Sequence, residues 1–202
     1  MTDLRDHWPL LGHEAVRDRL LAAYGDERRG YHDLTHLAEV LDHVATLAGA
    51  ADDVEAVVLA AWFHDAVYDG AGDDEERSAA LATDELTAAG LEPRQVAEVA
   101  RLVRLTATHR PGPDDRNGQV LSDADLAVLA ADRERYAGYV AGVRAEYAHV
   151  ADDDFRRGRA AVLRELLAKP SLFHTAAARD RWEVRARANV GRELAGLDGF
   201  KN

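Results

Sequence analysis

The sequence predicts an all-α protein: a single-domain bundle of about eight to nine helices. Three observations predict it. Apolar residues recur at steps of three and four along nearly all of the 202 residues. Strand-like alternation is scarce. Helix-boundary residues stand where the periodic segments begin. Helices are expected near 13–24, 34–48, 53–68, 75–89, 94–108, 123–131, 133–149, 153–168 and 179–197.

Each segment carries its own signal. Asp33 is placed to cap the second helix, since its carboxylate can accept from amides in the first turn. The third helix has Val54, Val57, Val58, Leu59, Trp62, Phe63 and Val67 on nearly every side, the mark of a buried central helix. The loop "DGAGDDEE" (69–76) follows it, and Asp73 to Glu76 suit the positive end of a fourth helix. Pro93 fits the first turn of the fifth. A polar loop rich in Pro and Gly, "HRPGPDDRNGQ" (109–119), separates it from a sixth helix opening near Ser122, where Ser122 and Asp125 have capping-box spacing. Asp152 to Asp154 mark the start of 153–168, whose stripe is Phe155, Val162, Leu163, Leu166 and Leu167. In the last helix Trp182, Ala186, Val190, Leu194 and Leu197 form one core-facing stripe.

Composition excludes several functions. A net charge of −12 argues against binding a nucleic-acid polymer, which needs a basic surface. No apolar stretch is long enough for a membrane span, and "MTDLRDHWPLLGHEAVRDRL" has no signal-peptide run. There is no cysteine, hence no disulfide framework or thiolate chemistry. A cytoplasmic protein is expected.

The stretch "AAWFHDAVYD" (60–69) poses the functional question. Buried ionisable groups are costly without a partner, and His64 and Asp65 sit side by side in the greasiest helix. A metal ion would compensate the carboxylate and use the imidazole lone pair. Adjacent residues stand about 100° apart on a helix, so other helices must complete the shell. "YHDLTHLAEVLDHV" offers His32 and His36, and "LSDADLAVL" offers Asp123 and Asp125.

The ordered set His36, His64-Asp65 and Asp125 resembles the H…HD…D signature of the HD superfamily of metal-dependent phosphohydrolases. The words "YHDLTH", "WFHDAVYD", "EERSA", "TATH" and "SDADL" look like a branch of about 200 residues within it, and the resemblance runs from Tyr31 to about Asn189. It implies one HD domain over 1–202, with the metal-site core in 31–130 and helices 133–197 packing on it. It implies His36, His64, Asp65 and Asp125 as ligands of a divalent transition metal. Asp125 is preferred to Asp123 for its "ADxL"-like context. Two histidines and two carboxylates suit Mn, Fe, Co, Ni or Zn better than Mg. The implied catalytic groups are Asp65, His109, and Glu75 or Glu76, between which the sequence does not choose. His32, Asp123, Arg110 and Arg144 are candidates for substrate contact.

The activity so implied is hydrolysis of a phosphate ester of a nucleotide or small phosphorylated metabolite by metal-activated water. Two alternatives stay open. One is a di-iron oxygenase, although its relatives carry two histidines between the HD pair and the last aspartate, where this chain has only His109. The other is a non-catalytic regulatory module. Apolar positions on the terminal helices would permit a homodimer.

Overall fold

The computed structural model describes residues 4–70 and 72–199. All regular structure among them is helical, as expected. Nine α-helices are described: α1 (Glu14–Tyr24), α2 (Leu34–Leu47), α3 (Val54–Phe63), α4 (Asp74–Ala88), α5 (Pro93–Leu105), α6 (Arg116–Asp125), α7 (Arg133–Glu146), α8 (Asp152–Ala168) and α9 (Ala176–Gly199). None is long and apolar enough to cross a membrane. The chain forms two compact units. One comprises the chain up to Glu27 and His32–Asp125; the other comprises Arg28–Tyr31 and the chain from Leu126 onward.

In the first unit α3 is the hub, contacting α2, α4, α5 and α6. Ala56, Val57, Leu59, Ala60, Ala61, Trp62 and Phe63 are all buried, as an all-round apolar helix requires, whereas of the other valines named from the sequence Val54 is exposed in the first turn and Val58 and Val67 are half-buried. Trp62 meets Trp8 edge to face at 5.2 Å, and its indole N–H donates to the His7 carbonyl. The Asp33 carboxylate accepts from the amides of Thr35 and His36, so the second helix is capped as predicted. Asp53 does the same for α3 through the Ala56 amide. Pro93 opens α5. Gly90, at φ +80°, turns the chain out of α4 while the Leu91 N–H bonds back to the Leu86 carbonyl.

Several boundaries differ from expectation: α5 ends at Leu105 rather than 108, α7 ends at Glu146 rather than 149, α9 begins at Ala176 rather than 179, and the helix expected to run to 131 gives way to a 3₁₀ segment after Asp125. Two further differences matter for the site. Helix α3 ends at Phe63 rather than 68, so His64 and Asp65 lie at its end and not within it. Helix α6 starts at Arg116 rather than 123. Asp115 supplies the cap there, its carboxylate accepting from the Gly118 amide at 3.0 Å. The capping-box reading of Ser122 and Asp125 is therefore replaced: Ser122 is buried inside α6 and Asp125 is the helix's last residue.

In the second unit a 3₁₀ turn, Leu126–Ala130, packs on α7 and α9, and α8 packs on α9. The Asn189 amide donates to the carbonyls of Leu129 and Ala131, both at 2.9 Å. Trp182, Ala186 and Val190 are buried as the stripe on α9 predicts, while Leu194 and Leu197 further along it are only half-buried. On α8 the expected Val162 is instead half exposed, and Ala160 and Leu163 hold the buried positions. Segment Arg28–Tyr31 seats on α7 through a glycine pair: a Cβ on either Gly30 or Gly142 would come 2.5 Å from the other's carbonyl oxygen. The Glu146 carboxylate secures the contact, accepting from the amides of Gly30 at 3.0 Å and Tyr31 at 2.8 Å.

Candidate metal centre

Four side chains from separate parts of the first unit converge. His36 comes from the first turn of α2, oriented by the Asp33 cap on its own amide at 3.0 Å. His64 and Asp65 leave the end of α3, and Asp125 leaves the end of α6. His36 Nε2 and His64 Nε2 are 3.1 Å apart. Asp65 Oδ2 is 2.9 Å from His64 Nε2 and 3.4 Å from His36 Nε2. Asp125 Oδ1 lies 3.2 Å from His36 Nε2 and 3.7 Å from His64 Nε2. Donors sharing one ion at about 2.0–2.2 Å would stand about 3 to 3.5 Å apart, and the separations between the ring nitrogens and from them to the carboxylates, 2.9–3.7 Å, bracket that range.

His36, His64 and Asp65 form a buried group able to hold a metal ion, their ligand atoms all within 4.8 Å of one another. The chemistry of the donors agrees. His64 Nδ1 lies 2.8 Å from the Ala61 carbonyl, which can only accept. Nδ1 therefore carries a proton, and in the neutral ring the lone pair sits on Nε2, facing the cluster. Both imidazoles are 1% exposed, whereas Asp65 and Asp125 are 13% and 14% exposed, so the centre opens on its carboxylate side.

Electrostatics show how strongly these groups act on one another. Burial disfavours charge on His36, but hydrogen bonds and attraction to Asp125 and Asp65 outweigh it and raise the ring to about 10. His64 is also raised, against burial, by the charges of Asp65 and Asp125. For Asp65, burial is overcome by the charges of His64 and His32 and a hydrogen bond from His36, which hold the carboxyl well below the usual range. Asp125 is lowered against burial by His64, by a hydrogen bond from His36 and by His109. Two mutually repelling imidazoles are held between two carboxylates, an arrangement in which one divalent cation can replace the histidine protons.

The other candidates divide. His109 reaches the cluster's edge, with Nε2 3.5 Å from Asp125 Oδ2 and Nδ1 3.3 Å from Ser122 Oγ. Its backbone is left-handed, at φ 48°, with its amide bonded to the Leu105 carbonyl as α5 ends. Half-buried His32 lies beside His36, with ring centroids 5.6 Å apart, and stacks on Tyr68 at 4.1 Å. Asp123 is fully buried but lies two residues before Asp125, about 200° round the helix, so the two carboxylates leave α6 on different sides. Glu76 turns outward into a bidentate pair with Arg104 at 2.6 and 2.7 Å, which removes it from the choice the sequence left open. Glu75 is half-buried on the first turn of α4. Arg110 is exposed. Arg144 belongs to the second unit, where it binds the carbonyls of Tyr147 and Val150, pairs with Asp152, and covers the Phe155 ring. Those contacts tie α7 to α8.

Sequence reasoning missed the residues that hold the turn after α3. Ser78 Oγ accepts from the Val67 amide at 3.0 Å and donates to the Val67 carbonyl at 3.3 Å. Asp74 accepts from the amides of Asp69 and Gly70. Tyr24, from α1, places its hydroxyl 3.2 Å from the Asp65 amide. Ser78 and Tyr68 stand in motif words, which was a signal; Tyr24 had none, since its partner is 41 residues away. No family model, curated protein or solved structure matches the chain.

Proposed function

We propose that this chain is a metal-dependent phosphohydrolase of the HD type, acting on a small phosphorylated compound. The buried group of His36, His64 and Asp65, with Asp125 Oδ1 3.2 Å from His36 Nε2, carries the proposal. His36, His64, Asp65 and Asp125 are the residues that would hold the ion, and the nitrogen and oxygen donors favour Mn, Fe, Co, Ni or Zn. The ion, when bound, supplies Lewis acidity toward water and a phosphoryl oxygen. His109, at the open edge and oriented by Ser122, is placed to hold or deliver a proton beside Asp125. A net charge of −12 favours a small substrate drawn in by the ion over a nucleic-acid polymer.

Metal analysis of protein purified without chelators, followed by phosphate release from a panel of nucleotides and sugar phosphates, tests this reading. About one transition-metal ion per chain and release from at least one compound are expected, both lost in His64→Ala. Protein that takes up no ion, or a His64→Ala variant with intact activity, would overturn it.

A further inference from the structure

At the end of α3 one hydrogen bond of the helix has been exchanged for two others. Continuation of the helix would pair the Ala61 carbonyl with the amide four residues on, that of Asp65. Instead the His64 ring takes the Ala61 carbonyl at 2.8 Å, and the displaced Asp65 amide donates to the Tyr24 hydroxyl at 3.2 Å. The same hydroxyl stands 3.5 Å from His64 Nδ1, and the ring of Tyr24 lies 6.4 Å from that imidazole. Tyr24 is 0% exposed, so no water can take the place of its oxygen at the surface. This part-buried amide, without the phenol as acceptor, would draw the chain back into helical pairing and compete with His64 for Ala61.

We infer that Tyr24 is a positioning residue for the metal pair: by accepting the Asp65 amide it frees the Ala61 carbonyl to orient His64, so that both ligands face one point. The inference rests on the metal reading above, and goes beyond it by assigning the orientation of His64 and Asp65 to a phenol on another helix. Tyr24 is not one of the proposed ligands. It acts through the backbone of one ligand and beside the ring of the other.

The test is Tyr24→Phe, which keeps the ring and removes the oxygen. Cobalt(II) affinity is measured by competition with a chromogenic chelator, at equal folded fraction, together with the visible absorption of the cobalt-loaded protein. Loss of an outer hydrogen bond to a ligand lowers metal affinity about 10–100-fold, and that loss is expected with a shifted cobalt band. A merely structural role would lower the melting temperature and leave affinity and spectrum unchanged; that result overturns the inference while the metal reading stands. Wild-type protein that binds no cobalt overturns both. Should Tyr24→Phe fail to fold, a fluorinated tyrosine at position 24 retains the oxygen but weakens it as an acceptor. Reduced affinity then supports the inference, and unchanged affinity overturns it.

Discussion

His64 and Asp65 are adjacent in sequence yet arrive at one point by different means, the first through its ring on Ala61 and the second through its amide on Tyr24. Their titration makes a prediction that can be signed. His36 is raised to about 10 in the folded chain, against 6.5 for an ordinary histidine. A group raised on folding contributes stability that is complete below its unfolded value and is lost as pH climbs through the folded one. Chelator-treated protein should therefore lose thermal stability between about pH 6.5 and 10. Metal affinity should rise over the same window, by up to about tenfold per pH unit for each proton displaced. Melting curves and metal titrations at stepped pH check both; a melting temperature flat across that range, or an affinity that falls, contradicts them. The residue types of this centre were legible in the sequence, because a buried His-Asp pair demands compensation. The outward turn of Glu76 to Arg104 was not, since the partner is 28 residues away and the two glutamates look alike in a string.

At the scale of elements, most helices were readable because their caps are local. Asp33 and Pro93 act within a turn of themselves, so sequence and structure agree there. Two of the misplaced ends have tertiary causes. Helix α3 stops early because Tyr24 and Ser78, from other helices, take over the backbone of the following turn. Helix α6 starts early because the Asp115 carboxylate, itself clamped by Arg101, caps a segment that composition marks as loop. Removing the cap of α3 by Asp53→Ala should cost about 1 kcal/mol in a urea titration; no measurable change would mean that burial alone defines that end. In the second unit Gly142→Ala should cost more, since its Cβ would meet the Gly30 carbonyl at 2.5 Å. The opposing atoms are backbone and cannot swing aside. A destabilisation of about 1–3 kcal/mol is expected, and an unchanged denaturation midpoint would remove the close-approach account.

Across the whole molecule, every proposed ligand lies in the first unit, while the second carries its own buried polar network. There the Glu193 carboxylate accepts from Tyr136 at 2.6 Å and from Arg159 at 2.7 Å, and Arg159 also donates to the Tyr139 hydroxyl. Arg159 and Glu193 are 11% and 8% exposed, so Glu193→Ala would strand a buried cation at a cost of about 3–5 kcal/mol. Arg159→Met added to Glu193→Ala should recover much of that loss; a double variant as unstable as the single one would show the network matters for more than its charge balance. Metal should act elsewhere. Hydrogen exchange with and without the ion should show added protection in α2, the end of α3 and α6, the elements bearing the ligands. Protection gained equally along α8 and α9 would contradict this distribution.

The sequence by itself determined an all-helical chain with a buried α3 and a His-Asp pair in need of a partner. These follow from periodicity, caps and the cost of burying charge, all of which act over a few residues. The H…HD…D resemblance named His36 and Asp125 as the answering groups, but only the tertiary structure decided how they arrive: Asp125 ends a helix and faces His36, and a phenol from α1 takes up the backbone where α3 stops. Such contacts join residues 40 to 90 apart, and no local rule ranks one distant partner above another.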